Sequence, residues 1–545
     1  MAEPPLGGAL TSTMQDFALT LTHLLRHGQT VHRRSQVVSF DGEAVSTASF
    51  ADVATRAERL AGALAALGVR RGERVATLMW NSQEHLEAYF GVPCMGAVLH
   101  TLNLRLAPED LARVMAEAGN RVVLAHASLL PLLAAVQDRV PTLEHVLVAE
   151  DPGLPGVELP DGGAVRYAGY EHALAEAAPG YPWPELDERE TAAICYTSGT
   201  TELPRGVAYS HRSVFLHTLA VSSGAVFALD PAQRVLPLVP MFHVNAWGIP
   251  YAAWAQGATL VMPHRWLLGG PVCRLVRLAR PTTAAGVPTI WASVLDYAAE
   301  HPDEVDFSSL RLATSGGAAL PMSMVETFRD RYGVQMGQGW GMTETSPVCT
   351  YNLVGGPGQR EGRPLPAGRV IPGVEMRIVA PDGAVAPWDG ATVGEVEVRG
   401  PWVTGSYIGD GHGRQQFHDG WLRTGDIGCL DEDGYLVLSD RLKDVIKSGG
   451  EWISSLRLED QLMAHPAVAD VAVVAVADPR WGERPLAVVV VRRGETVTAE
   501  ELREHLSGRV AHFWLPERWE FVDEIPKTTV GKYDKLALRA RYGAG

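Results

Sequence analysis

Between residues 50 and 125 the chain alternates amphipathic helix with short apolar strand, and this alternation limits the fold more than any other feature. Phe50, Val53, Ala57, Leu60, Ala61, Leu64 and Leu67 recur at three- and four-residue intervals, and Gly68 stands where a helix C-terminal cap belongs. Residues 74–80 then read as a strand, 83–95 as a second helix and 121–125 as another strand. Such a sequence builds a parallel α/β sheet covered by helices, so the first half is expected to be doubly wound. At 545 residues the chain exceeds one hydrophobic core and is expected to divide into two to four domains.

A net charge of −16 argues against nucleic-acid or anionic-membrane partners, which require a basic surface. Any anionic ligand must therefore meet a local positive site. The five cysteines, Cys94, Cys195, Cys273, Cys349 and Cys429, are scattered without metal-ligand spacing and read as buried apolar residues of a reducing compartment. Residues 1–34 lack the pattern of a secretory signal, and no uninterrupted apolar run is long enough to span a membrane. The expected location is cytoplasmic.

A strand at 191–195 feeds Tyr196-Thr197-Ser198-Gly199-Thr200-Thr201-Glu202-Leu203-Pro204-Arg205-Gly206-Val207, which packs five hydroxyl residues, two glycines, a proline and a cation into twelve positions. Glycine lets the backbone approach an anion, and Thr and Ser add hydroxyl donors to the amide donors. A triphosphate suits such a loop; on composition alone, so does a surface turn. Residues 152–184, rich in Pro and Gly, read as a surface meander before this strand.

Further on, 213–226 reads as a helix and 234–239 as a strand ending in Pro240-Met241-Phe242-His243-Val244-Asn245-Ala246-Trp247. Aromatics and a histidine at a strand's carboxyl end suit a ligand crevice and equally a packed core. A strand at 310–315 feeds Gly316-Gly317-Ala318, and one at 334–337 feeds Gln338-Gly339-Trp340-Gly341-Met342-Thr343-Glu344-Thr345. Glycines in these two turns would admit a flat ring, and Glu344 supplies the hard oxygen that Mg²⁺ prefers. From about 368 the texture turns β-rich. A charged joint, Ser439-Asp440-Arg441-Leu442-Lys443-Asp444, then separates residues 1–440 from a small α+β domain at 441–545. That tail shows a helix at 454–463, strands at 468–476 and 486–491, and a helix opened by a Thr498/Glu501 capping box. Near its end Ile525-Pro526-Lys527-Thr528-Thr529-Val530-Gly531-Lys532 sets a lysine on an expected loop.

In this order the motifs resemble the adenylate-forming superfamily of acyl-CoA synthetases, adenylation domains and luciferases. The resemblance runs from about residue 50 to 541 and is greatest to bacterial medium- and long-chain fatty acyl-CoA synthetases, notably at 240–247 and 441–454. It implies a large N-terminal domain of doubly wound α/β sheets with a β-rich subdomain at about 368–440, hinged at Lys443 to a mobile C-terminal domain. By resemblance Thr197, Ser198, Gly199, Thr200, Thr201 and Arg205 bind the phosphates of ATP, and Thr343 and Glu344 meet the α-phosphate and Mg²⁺. Gly317, Ala318, Gly339, Trp340, Gly341 and Met342 border adenine, while Asp426 and Arg441 hold the ribose. Lys532 neutralises the carboxylate and phosphate during adenylation. His243, Trp247, Gly286, Gly316 and Met342 line the acid pocket, with Trp247 gating it. After domain rotation Ser448, Gly449, Gly450 and Trp452 face the tunnel for coenzyme A.

Two positions depart from the family pattern. Glu202 stands where Gly is usual and Arg205 where Lys is usual, which replaces a point charge by a planar fork and sets a carboxylate near a triphosphate. The resemblance implies an AMP-forming ligase joining a carboxylic acid to coenzyme A. Its alternatives are a same-fold adenylating enzyme of a natural-product pathway, acting on an amine or activating nitrite for diazotisation of an aromatic amine, and an ATP-binding homologue without catalysis. The expected partners are a small-molecule acid and an acceptor thiol or amine, with a homodimer left open.

Overall fold

A computed structural model describes residues 12–151, 154, 156–161, 163–197, 203–356, 365–409, 414–442, 444–448, 451–527 and 533–543, the side chains of 451 and 452 excepted. Three sheets carry these residues. The seven-stranded sheet runs in the order Arg166–Gly169, His145–Ala149, Val122–His126, Arg74–Leu78, Val98–Thr101, Thr191–Tyr196, Gly206–Ser210, parallel except for its last strand. The fourteen-stranded sheet has a parallel centre, Thr259–Met262, Arg234–Pro237, Thr283–Gly286, Leu312–Gly316 and Gln335–Gly341. The doubly wound reading of the N-terminal part therefore holds.

The helix Phe50–Ala66 begins where the Ser49 hydroxyl accepts the Asp52 amide and the Asp52 carboxylate returns the bond to the Ser49 amide. It ends before Gly68 at φ +78°. Its buried face places Phe50 flat against Trp254, with ring centroids 4.2 Å apart. The helix Gln83–Cys94 is buried from His85 to Cys94 on every side, as a helix between two sheets must be. The carboxyl ends of the two sets of parallel strands meet, where Asn81, just after Arg74–Leu78, donates to the Pro237 and Val239 carbonyls at the end of Arg234–Pro237; strand ends of this kind are the usual ligand position in open α/β sheets.

Three expectations change. Residues 152–184 are not only a meander: Arg166–Gly169 joins the edge of the seven-stranded sheet and Tyr170–Glu176 is a helix whose Tyr170 hydroxyl donates to buried Glu87. The helix expected to reach residue 226 stops at Ser222, where the Ser222 and Ser223 hydroxyls donate back to Thr218 and Ala220 carbonyls. Gly339 and Gly341 lie within the strand Gln335–Gly341, paired antiparallel with Val348–Leu353, rather than in a turn after it. A fourth finding concerns how the β-rich region is attached: its strands from Gly368 onward are continuous with the large sheet, Gly368–Val370 bridging Val348–Leu353 to Tyr435–Arg441.

The third sheet contains Glu451–Ile453, Ile446–Ser448, Gly482–Val491, Val468–Asp478 and Arg518–Phe521. Around the charged joint, the Ser455 amide donates to Asp440 at 2.6 Å and Arg539 meets Asp444 at 2.9 Å. Lys535 pairs with Glu459 at 2.7 Å.

Buried histidines make the fold acid-sensitive. His85 donates through Nδ1 to the Trp80 carbonyl and accepts at Nε2 from Thr77, while His211 and His217 accept the Leu21 and Val348 amides. Each is thus fixed in its neutral form, and burial lowers their pKa values to about 3, 4 and 3. Unfolded histidine takes up a proton near 6.5, so stability is fully present above that pH and is lost as pH falls below it, by at most ~1.4 kcal/mol per pH unit for each histidine. Glu87 and Glu459, pushed up to about 7 chiefly by burial against the pull of Arg56 and Lys535, act in the opposite sense and offset part of this loss, two carboxyls standing against three histidines. The urea midpoint is expected to fall steadily between about pH 6.5 and pH 5. A flat midpoint over that window would contradict this account.

Candidate active site

Tyr196 and Gly206 face each other at the ends of antiparallel strands and mark the limits of the hydroxyl-rich motif. Its base is closed by Thr197 and Arg205: the Thr197 amide donates to the Arg205 carbonyl at 2.9 Å, and the Arg205 amide to Thr197 Oγ1 at 3.0 Å. Ser198, Gly199, Thr200, Thr201 and Glu202 lie outside the described residues. The Arg205 guanidinium stacks over Tyr407 at 5.1 Å and donates to Gln416 at 2.7 Å.

Tyr407 connects this cation to the acidic centre. Its hydroxyl donates to Glu344 Oε1 at 2.6 Å, the Thr404 amide donates to the Glu344 carbonyl, and the Ile408 amide to the Gly206 carbonyl. The Tyr209 hydroxyl meanwhile donates to the Thr343 carbonyl at 2.6 Å. Burial raises the Glu344 carboxyl above its ordinary range, opposed by the Tyr407 donor and by the charges of Arg441 and Arg205. A 6 % exposed carboxylate destabilised in this way gains from a hard cation, so its chemistry fits Mg²⁺.

Asp426 and Arg441 are directly paired residues of neighbouring antiparallel strands, and their side chains meet at 3.1 Å. The Trp340 indole N–H donates to the other Asp426 oxygen at 2.8 Å. Trp340 reaches that point from a strand whose Gly341 tolerates no side chain, since a Cβ there would fall 1.8 Å from the Pro347 carbonyl. Gly317 adopts φ +80°, and Gly317 and Ala318 are exposed beyond the end of Leu312–Gly316.

The segment expected to line the acid pocket is strained. Val244, Asn245, Ala246 and Trp247 all have φ between 47° and 58°, a left-handed run that costs roughly 1–2 kcal/mol per residue. The Cys195 thiol donates to Asn245, and Asn81 secures the approach by donating to the Pro237 and Val239 carbonyls and accepting the Met241 amide, all within 2.8 Å. Trp247 emerges against Gly316, where a Cβ would be 3.0 Å from the indole and 3.0 Å from the Gly339 carbonyl. Gly316 and Gly339 are register partners, which brings Trp247 beside the strand of Trp340. His243 is half-buried, and Gly286 ends the neighbouring strand, with Trp291 3.4 Å from its Cβ position.

In the third sheet the Ser448 hydroxyl accepts from buried Arg484 at 3.2 Å. Lys443, Gly449, Gly450, Lys532 and the Trp452 side chain lie outside the described residues. Tyr407, Tyr209, Gln416 and Asn81 escaped the sequence reading. Only Tyr407 carried a visible signal, as an aromatic among the small residues of Thr404-Gly405-Ser406-Tyr407.

A crevice at the carboxyl ends of parallel strands, with a glycine-rich loop, a buried carboxylate and an Asp–Arg pair, defines the class of adenylate-forming enzymes. The chain belongs to the AMP-binding enzyme family: that family's profile matches residues 26–408, and the profile of the AMP-binding enzyme C-terminal domain matches residues 457–532. The chain is 45% identical to a long-chain-fatty-acid–CoA ligase of Thermus thermophilus, over 98% of this chain and 97% of that one. It is 41% identical to a 3-methylmercaptopropionyl-CoA ligase of Ruegeria pomeroyi, over 96% and 97%. Among solved structures, an anthranilate CoA ligase in complex with anthranoyl-AMP aligns with TM-score 0.85 at 27% identity, covering 97% of this chain and 99% of that one. An amide bond synthetase of Marinactinospora thermotolerans aligns at 0.78 and 27%, covering 95% and 99%.

Proposed function

We propose that this chain is an AMP-forming acid–thiol ligase of the fatty acyl-CoA synthetase type. A substrate carboxylate oxygen attacks the α-phosphorus of ATP, the bond to pyrophosphate breaks, and an acyl-adenylate results. The sulfur of coenzyme A then attacks the acyl carbon, the bond to AMP breaks, and the thiol proton goes to solvent. The single observation that carries this reading is the linked set Arg205–Tyr407–Glu344 beside Trp340–Asp426–Arg441, which offers a phosphate end and a sugar end to one nucleotide.

In this reading Asp426 accepts from the ribose hydroxyls and Arg441 holds it in place through their ion pair. Trp340 holds the same carboxylate in orientation and leaves the exposed Gly317 and Ala318 to flank the base. Glu344, supported by Tyr407, holds Mg²⁺, which when bound neutralises phosphate charge. Arg205 adds positive charge from the loop's exit, and its stacking on Tyr407 supports a placement in which the planar fork still serves. The acid lies beside Trp247 and the glycine strand ends, where the indole packs against Gly316. We further assign residues 1–440 and 441–545 to two domains that turn about Lys443, carrying Lys532 in for adenylation and Ser448 to Trp452 in for thioester formation.

The relatives at 45% and 41% identity are acyl-CoA ligases, which supports a thiol acceptor over the amine that the more distant amide bond synthetase would suggest. Among the described residues no helix is long and apolar enough to cross a membrane, and all five cysteines are free and buried, which supports a reducing location. The test is ATP–pyrophosphate exchange without coenzyme A, over fatty, aromatic and inorganic acids. Exchange is expected with carboxylic acids, highest with a fatty acid. Exchange with nitrite alone would overturn the reading.

A further inference from the structure

The two large sheets also meet in a buried cluster that adenylation does not use. His126 closes the strand Val122–His126, and Asp151 follows His145–Ala149 in the seven-stranded sheet. His264 stands just beyond Thr259–Met262 in the larger sheet. The three are 0 %, 3 % and 5 % exposed, and one donor atom from each lies within 4.8 Å of the others. Among the described residues, neither ring nitrogen of His264 has a hydrogen-bond partner, and neither does Oδ1 of Asp151, which faces Arg265 at 3.2 Å in an ion pair. Buried polar atoms left idle are rare because each forfeits its hydration.

We propose that His264, Asp151 and His126 form a binding site for one divalent cation of the zinc class, which ties the two sheets together. Two imidazoles and one carboxylate from three separate strand ends are the donors that first-row divalent metals select, whereas Mg²⁺ prefers oxygen alone. The His126 and His264 rings lie against each other with centroids 4.7 Å apart, and a cation shared with Asp151 would give the unpartnered His264 ring a ligand.

His126 imposes one requirement. Its Nδ1 accepts the Trp80 amide at 3.0 Å, so without metal the ring proton sits on Nε2, 3.2 Å from Ser82 Oγ and 3.9 Å from Glu84. Coordination by His126 would therefore exchange one of these hydrogen bonds for a bond to the cation. Glu84 remains beside it as the carboxylate that orients a ligating imidazole. Arg265 stays as a counter-charge to Asp151.

The site also bears on the acid pocket. The His264 amide donates to the Asn81 carbonyl at 2.8 Å, and it is the Asn81 side chain that grips residues 237–241 ahead of His243 and Trp247.

The test uses the full chain, stripped with chelator and titrated with Zn²⁺ and, in parallel, with Co²⁺. About one tightly held zinc per chain is expected to survive gel filtration and to raise the melting temperature. Co²⁺ should give the visible ligand-field bands of a site with nitrogen donors. His264→Ala and Asp151→Asn should each weaken binding by about 100-fold or more and abolish the bands. If His264→Ala does not fold, Asp151→Asn and the wild-type titration decide. Absence of a tightly held equivalent in the wild type, or equal binding by the folded variants, overturns the proposal.

Discussion

Replacing Glu344 by glutamine is expected to slow adenylate formation by about 10²–10³-fold while leaving the protein folded. The substitution keeps the side chain's volume and still offers Tyr407 an oxygen, so the 2.6 Å hydrogen bond has a successor. What it removes is the charge at a point where burial already works against ionisation. Because Glu344 is the group read as holding Mg²⁺, the loss should appear as a weaker dependence on Mg²⁺ together with a lower maximal rate of pyrophosphate exchange. The raised carboxyl has a further consequence with a definite sign. Protonation competes with the cation, so the acid limb of the wild-type exchange rate should lie above the ordinary carboxylate range, and it should be absent from what activity Glu344→Gln retains. Wild-type exchange rates in the variant would remove Glu344 from the reaction.

A second large effect is expected at Lys532. Lys532→Ala should reduce adenylation by about 10³-fold, because a cation at the carboxylate and α-phosphate acts on charge that is shared in the transition state. Thioester formation from supplied acyl-adenylate should largely persist, since in our reading the lysine is withdrawn for that step. The described residues on either side of it are pinned: Lys527 pairs with Tyr533 across an isolated antiparallel bridge, both side chains reach Asp470, and the Asp534 amide donates to the Pro526 carbonyl. The helix Lys535–Tyr542 follows at once. Equal loss of both half-reactions would refute the assignment, and with it the argument for domain alternation.

Much of this architecture could be read from residue spacing. The three- and four-residue period of 50–67, the capping box at Thr498, and the glycines after short strands encode local structure by local means. The motif order then pointed to the family. Harder to see were features made by contacts distant in sequence. Gly339 and Gly341 looked like turn residues because glycine usually marks turns, yet here they allow close backbone approach within a sheet, as the Pro347 carbonyl beside Gly341 demonstrates. Residues 166–176 sat in a Pro- and Gly-rich stretch, and only pairing with His145–Ala149 and the contact of Tyr170 with Glu87 gives them structure. Within the site, Asp426 and Arg441 were legible, but not that Trp340 would bind the same carboxylate, nor that Tyr407 would link Arg205 to Glu344. Those contacts join residues 86, 63 and more than 200 positions apart, beyond the reach of any periodicity.

Arg205 illustrates how structure refines a departure from pattern. In sequence it was a substitution beside a troublesome Glu202. In the fold it sits over an aromatic ring and donates to Gln416, contacts suited to a planar guanidinium.

The most direct test of acyl-adenylate chemistry followed by thiol transfer is mass spectrometry of the products formed from a carboxyl-¹⁸O-labelled fatty acid, ATP and coenzyme A. The account predicts equimolar AMP, pyrophosphate and acyl-CoA, with one labelled oxygen in the AMP and the other retained in the thioester carbonyl. Unlabelled AMP, or labelled AMP formed without any coenzyme A thioester, would contradict it.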